Sequence, residues 1–238
     1  MKTIPRGSTQ KNVNRVVFEA IENRLESETT RLLIDSPCGS GDFAHYIGEN
    51  FPKVKVMGID LYTEVKGRKF EFHKASAQEV LSRQTAETVD VITCISGVMC
   101  FDGIPALIAS FFSALKKDGI LVITNDNIMS VRDRLNFLFF GHFKRFKLLY
   151  ANNEGNWNVM LPQALVSMLK SRGFRKWDVK YTAIYNEDFF FLPLAVVIYP
   201  LFLLNLIFVK SELSLRERLV LFPFRMLISR HYVVTAEK

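Results

Sequence analysis

The segment RLLIDSPCGSGDF, residues 31 to 43, constrains the fold of this chain more than any other. An apolar run ends in Asp35, glycines follow at Gly39 and Gly41, and a helix can begin near Asp42. Glycine takes positive φ readily and lets a ligand approach the backbone, so the pattern reads as strand, Gly-rich turn and helix. In open α/β sheets, ligands bind outside the carboxyl ends of the strands, which suits a nucleotide-like group at this turn. A dinucleotide fingerprint is absent, because position 44 is Ala and Gly48 comes too late, and so is a Gly-Lys-Ser/Thr phosphate loop.

The rest of the chain repeats that rhythm. VKVMGID (54–60), FEFHKA (70–75), VDVITCIS (89–96) and GILVITN (119–125) are short and mostly apolar, as strands covered on both sheet faces are. Residues 9–26 form an amphipathic pattern carried by Val13, Val17, Ile21 and Leu25, with Ser8 or Thr9 available as the cap. Ile104 to Leu115 reads as a helix, and so does LPQALVSMLKSRGF, with Pro162 in its first turn and Gly173 closing it. WDVKYTAIY (177–185) and HYVVTAE (231–237) are two further strands. Strands separated by helices imply βαβ crossovers, hence an α/β fold: one doubly wound, Rossmann-like, mostly parallel sheet of seven strands within a single domain over residues 1–238.

Asp60 stands at the tip of the second strand, about 20 residues beyond the glycines, where an acid accepts bonds from both hydroxyls of a ribose; its alternative reading is a helix cap or turn residue. Composition narrows the class. With 49% hydrophobic and 23% charged residues the chain is neither disordered nor a multi-pass membrane protein, and its net charge of +7 favours an anionic partner. Cys38, Cys94 and Cys100 have no metal-like spacing, so no metal site or disulfide framework is expected and a reducing compartment fits. No apolar export signal opens the sequence, so a cytoplasmic location is the expectation.

These residues carry a resemblance. DSPCGSGDF resembles the DxPCGTGxF strand-and-loop motif of class I S-adenosylmethionine-dependent methyltransferases, and LKKDGILVITN resembles that family's entry to strand five. The resemblance covers roughly residues 30–185 plus the final strand. It implies S-adenosylmethionine as cofactor, wrapped by Asp35, Pro37, Cys38, Gly39 and Gly41, with Asp60 and the adjoining Leu61 at the ribose. Ser76 and Ala77 match the family's Asp-Ala pair at the adenine, with serine departing from the pattern. VDVITCISGVMCF resembles strand four and its loop, which implies that Cys94, Ile95 and Met99 lie beside the adenine or methyl group. Methyl transfer is an in-line displacement needing alignment and, for an oxygen acceptor, proton removal.

By position, the excursion over residues 126–160 is a substrate-side lid. Between Arg132 and Lys147 it sets Arg132, Arg134, Lys144, Arg145 and Lys147 against Asp133 alone and adds a dense run of Phe, which fits an anionic acceptor or a membrane surface; no RNA-binding module accompanies it, so no nucleic-acid partner is expected. Acceptor-binding candidates are Asn125, Asp126, Asn127, Arg132, Arg134, Asn156 and Asn158. SVRDRLNFLFFGHF resembles, more loosely, methyltransferases of bacterial surface-glycan and lipid-linked sugar assembly. Those carry a His-rich turn where this chain has Asn156 and Asn158, so the general base is open, with Asp126 and His142 as candidates.

The uncharged run from Phe189 to Val209 lies inside a hydrophobic insertion over residues 186–230. About 20 apolar residues span a bilayer, but Pro193 and Pro200 point to a bent helix or two short ones. The family fold pairs the flanking strands as an antiparallel hairpin, so both ends return to one body and a single crossing is excluded. LRERLVLFPFRMLISR, with Arg216, Arg218, Arg225 and Arg230, reads as a second, interfacial arm. The expectations are peripheral contact with the inner membrane face and a lipid or lipid-linked glycan acceptor, with a soluble small-molecule methyltransferase whose apolar insertion forms a homodimer interface, or a non-catalytic scaffold of the same fold, as alternatives.

Overall fold

The computed structural model describes residues 3–65, 67–144 and 158–238. In chain order the strands are β1 (Leu32–Asp35), β2 (Lys55–Asp60), β3 (Glu71–Lys74), β4 (Val89–Cys94), β5 (Leu115–Asp126), β6 (Lys176–Thr182) and β7 (His231–Glu237). The helices are α1 (Val13–Glu26), α2 (Asp42–Asn50), α3 (Ala77–Arg83), α4 (Ile104–Ala114), α5 (Val131–Phe140), α6 (Pro162–Arg172), α7 (Leu192–Phe208) and α8 (Leu215–Leu221).

The strands form a seven-stranded sheet in the order β3-β2-β1-β4-β5-β7-β6. β1 to β5 pair in parallel, and β7 runs antiparallel between β5 and β6. Successive side chains of a strand face opposite sides, and this alternation divides the core into two layers. Leu33, Val91, Val122 and Val233 pack with α1 and α2, whereas Ile34, Ile92, Leu121 and Val234 pack with α4, α6 and the insertion. The chain order reverses between β1 and β4, so the crevice at their carboxyl ends is where a ligand fits.

Two local expectations change. α1 starts after Asn12, in the left-handed region at φ 65°, without a side-chain cap; Ser8 and Thr9 are not its caps, because the Thr9 hydroxyl is engaged with Ser96, 2.6 Å away. β5 starts at Leu115, earlier than the apolar run alone indicates, because its first residue pairs with Val89 before a register shift.

The insertion also differs in detail. A 3-10 turn over Asn186–Phe191 leads into α7 as one helix rather than two. Pro193 falls in its first turn, where no intrahelical N–H bond is lost, and the helix passes across Pro200. The second arm is not one continuous helix but α8 followed by a 3-10 turn over Phe224–Leu227. α8 is short, and Leu221, Met226 and Leu227 are fully buried. Arg218 donates to the carbonyls of Leu206 and Val209 at the end of α7, and Arg230 pairs with Glu187 and Asp188. Only Arg216 and Arg225 of that group are exposed.

Candidate active site

A cavity of about 470 Å³ opens at the carboxyl ends of β1, β2 and β4. Its floor is the turn after β1. Gly39 sits at φ 54°, with open space where a side chain would stand, and Gly41 at φ 72° begins α2. A Cβ on Gly41 would lie 2.5 Å from the Phe70 ring, so both conformation and packing require glycine there.

Asp60 fastens this turn to β2. One carboxylate oxygen accepts the Gly39 N–H at 2.9 Å, and the other accepts the N–H groups of Tyr62 and Thr63 at 3.0 and 2.8 Å. A carboxylate has about four acceptor positions, so three backbone bonds leave Asp60 room for one ribose hydroxyl rather than two. Ser76 is partly committed as well, since its hydroxyl caps α3 by accepting the Glu79 N–H at 3.2 Å. Its proton and one lone pair remain for an adenine.

Asp35 lies deeper, 1% exposed, and accepts the Thr93 hydroxyl at 2.7 Å. Burial raises its pKa to about 7; the Thr93 bond opposes that shift and the Asp60 charge adds to it. Burial, with the charges of Asp35 and Asp60, also pushes the Cys38 thiol up, which disfavours the nucleophilic thiolate.

The cavity brings together Asp35, Pro37, Cys38, Gly39, Asp60, Leu61, Ser76, Ala77 and Ile95. Gly41 supports the turn from outside the lining. Cys94 and Met99 do not face the cavity: Cys94 is fully buried and Met99 is 3% exposed, both turned into the core, and Cys100 and Phe101 line the wall in their place. Sequence reasoning missed the N-terminal strap. Ser8, Thr9 and Asn14 line the cavity from before and within α1, a placement that only the packing of α1 on the sheet creates. Asn14 Nδ2 donates to the carbonyls of Pro5 and Arg6, which leaves Oδ1 buried with no hydrogen-bond partner among the described residues.

The acceptor candidates fare differently. Asn125 and Asp126 end β5 and Asn127 follows it, but all three are only 2–3% exposed and do not line this cavity. Asn127 is a clamp, donating to the carbonyls of Met226 and Ser229 and accepting the Met129 N–H. Arg134 donates to the Met129 carbonyl and lies over the Phe202 ring, and burial lowers its pKa. Arg132 sits against Asp133 at a separate, smaller cavity that Asn127 also lines. Asn158 ties its segment to the carbonyls of Met99 and Phe101, and Asn156 lies outside the described residues. His142 is bonded to Asn136 and lines neither cavity, and Asp126 faces His231 instead of open space.

The site fits S-adenosylmethionine. The Asp35 carboxylate and the Asn14 oxygen, which has no partner among the described residues, would offer acceptors to its positive charges, and Asp60 and Ser76, on the same cavity wall, would offer theirs to its ribose and adenine. When bound, that cofactor supplies an electrophilic methyl group on a sulfonium. Fold and cavity together thus define a Rossmann-like methyltransferase. The comparisons agree: residues 9–179 match the family model described as a methyltransferase domain, and the chain belongs to that family as an S-adenosylmethionine-dependent methyltransferase.

Among solved structures, the chain is similar to a SAM-dependent methyltransferase from Archaeoglobus fulgidus, with 20% identity, 94% of each chain covered and a TM-score of 0.60. It is also similar to one from Thermotoga maritima described as a possible histamine N-methyltransferase, with 15% identity, coverage of 95% and 91% and a TM-score of 0.55. A third is phosphoethanolamine N-methyltransferase 2 of Haemonchus contortus, solved with S-adenosyl-L-methionine, at 14% identity and a TM-score of 0.57, covering 97% of this chain and 53% of that one. No curated protein matches the chain.

Proposed function

We propose that this enzyme methylates a lipid or lipid-linked acceptor while docked peripherally on the cytoplasmic face of the membrane. One observation carries the reading: an exposed apolar helix leaves the sheet at the edge that holds the cofactor cavity. β6 is parallel to β1 and β4, so the insertion departs from its carboxyl end at Thr182 and returns at His231, which pairs with Thr182 across the ladder.

On that insertion Phe190, Leu194, Val197, Leu201, Leu204 and Phe208 recur at alternating spacings of four and three and are exposed, Phe190 by 83% and Phe208 by 79%. Leu138, Phe139 and Phe140 at the end of α5, each more than 70% exposed, add to it, and α5 packs against α7 through Arg134 on Phe202. An apolar stripe of this kind is what a helix lying in the headgroup region presents. Exposed Lys144, Lys210 and Arg216 follow α5 and α7 and supply charge for anionic headgroups.

Flotation of the purified chain with vesicles of anionic phospholipid tests this, run beside sedimentation without lipid. The expected result is flotation that Leu201→Glu with Leu204→Glu abolishes while S-adenosylmethionine binding is kept. A detergent-free dimer that does not float, and that the same pair of changes dissociates, would replace the membrane reading with a soluble enzyme whose apolar face joins two copies. With flotation established, lipid-linked sugars are the first acceptors to assay.

A further inference from the structure

We propose that His231, acting through Ser96, receives the proton that a hydroxyl or amine acceptor gives up on methylation. The inference rests on methyl transfer at the cavity just described and not on the acceptor being a lipid.

Ser96 follows the carboxyl end of β4 and lines the cavity. Its φ of 53° is a left-handed conformation rare for a residue with a side chain, held because its N–H donates to the Thr124 hydroxyl at 2.8 Å. That conformation sets Ser96 Oγ between the Thr9 hydroxyl, at 2.6 Å, and Nε2 of His231, at 3.3 Å. His231 is wholly buried at the start of β7, in register with Asp126 on β5. Its Nδ1 lies 3.2 Å from the Asp126 carboxylate, and its Nε2 also meets the Thr124 hydroxyl at 3.0 Å.

A carboxylate beside Nδ1 keeps the proton on that nitrogen and leaves Nε2 as an acceptor facing two hydroxyls. The cavity wall is thereby joined through Ser96 to a buried base, His231, with the Asp126 carboxylate behind it. The other ionisable groups nearby are committed elsewhere. Arg230 turns to Glu187 and Asp188, the Tyr232 hydroxyl donates to the Met160 carbonyl, and Cys100, which also feels the Asp126 charge, is a thiol whose pKa burial raises.

In the transfer, an acceptor lone pair forms the new bond to the methyl carbon while the carbon–sulfur bond breaks and its electron pair goes to sulfur. The acceptor proton passes to Ser96 Oγ as the Ser96 proton passes to Nε2. The resulting imidazolium is held by the Asp126 carboxylate. His231 is thus a positioning residue that works through Ser96.

The test uses the full chain labelled with ¹⁵N-histidine, saturated at pH 7 with S-adenosylmethionine or S-adenosylhomocysteine, with binding of each confirmed by calorimetry. The other three histidines, His45, His73 and His142, are internal controls. The expected result is an Nδ1-protonated His231 whose imidazolium-to-imidazole ratio is lower with the sulfonium than with the thioether by at least about twofold, since a nearby positive charge disfavours the imidazolium. Asp126→Asn, which can still accept from Nδ1 but carries no charge, lowers the ratio further in both complexes. An Nε2-protonated tautomer, or equal ratios in two bound complexes, overturns the relay and leaves methyl transfer standing. If neither compound binds the folded chain, the cofactor reading and the relay fall together.

Discussion

Asp60 and Gly39 stand 21 residues apart in sequence, yet the carboxylate of one accepts the backbone N–H of the other at 2.9 Å. The acid at the tip of β2 therefore shapes the turn after β1 before any cofactor arrives. Asp60→Ala removes three backbone partners and costs about 1–3 kcal/mol in thermal or denaturant unfolding. Asp60→Asn is not a mild change, because its amide N–H groups must face a backbone N–H. Both variants bind S-adenosylmethionine at least about tenfold more weakly by calorimetric titration.

Asp35 gives the site a pH dependence. Its pKa is raised from 3.8 to about 7 by burial, and a cationic ligand favours the ionised form, so cofactor affinity rises with pH up to about 7 and then levels. Below that pH, binding releases a proton, which calorimetry in buffers of different ionisation enthalpy measures directly. For stability the sign is opposite. Because the folded pKa is the higher one, the contribution is fully present below pH 3.8 and is lost as pH rises to about 7. Asp35→Asn consequently unfolds at a higher temperature than wild type at pH 8 while binding the cofactor poorly and without the pH step.

Gly97 is fixed by contact and not by conformation. A Cβ there would lie 2.1 Å from Pro37 Cγ and 2.2 Å from Cδ. Gly97→Ala must displace the proline that opens the cofactor turn, at a cost of about 1–3 kcal/mol in unfolding. The same displacement lowers S-adenosylmethionine affinity at least about tenfold in a calorimetric titration.

Asn127 separates a clamp from a ligand contact. With both amide hydrogens and its carbonyl in bonds to the chain, Asn127→Ala is expected to lower unfolding free energy by about 2–4 kcal/mol. Cofactor affinity, read at a temperature where the variant is folded, stays within about threefold of wild type.

The apolar strands and Gly-rich turn are legible because strand burial and backbone conformation are local properties. Leu33 and Ile34 already alternate between layers in the sequence, and Gly173 closes α6 at φ 110° where the pattern predicts it. The spacing of Asp60 from the glycines is legible for a similar reason, since one βαβ unit has a nearly fixed length. The bonds of Asn127 and Arg134 are not legible in the same way, because their residue types suit an anionic acceptor equally well. Only their carbonyl partners, about a hundred residues away for Asn127, reveal them as clamps.

What the sequence determined by itself is the order of strands and helices, the Gly-rich turn that lines the cavity and the presence of an apolar insertion. Each follows from residues near one another in the chain. What tertiary structure decided is which polar groups meet. His231 touches Asp126 because an antiparallel β7 lies beside β5, and it reaches Ser96 because β4 is the next strand over. Thr9 and Asn14 join the cavity because α1 packs across the sheet. Hydrogen bonds between distant segments depend on register and packing, and neither is written in the composition of any single segment.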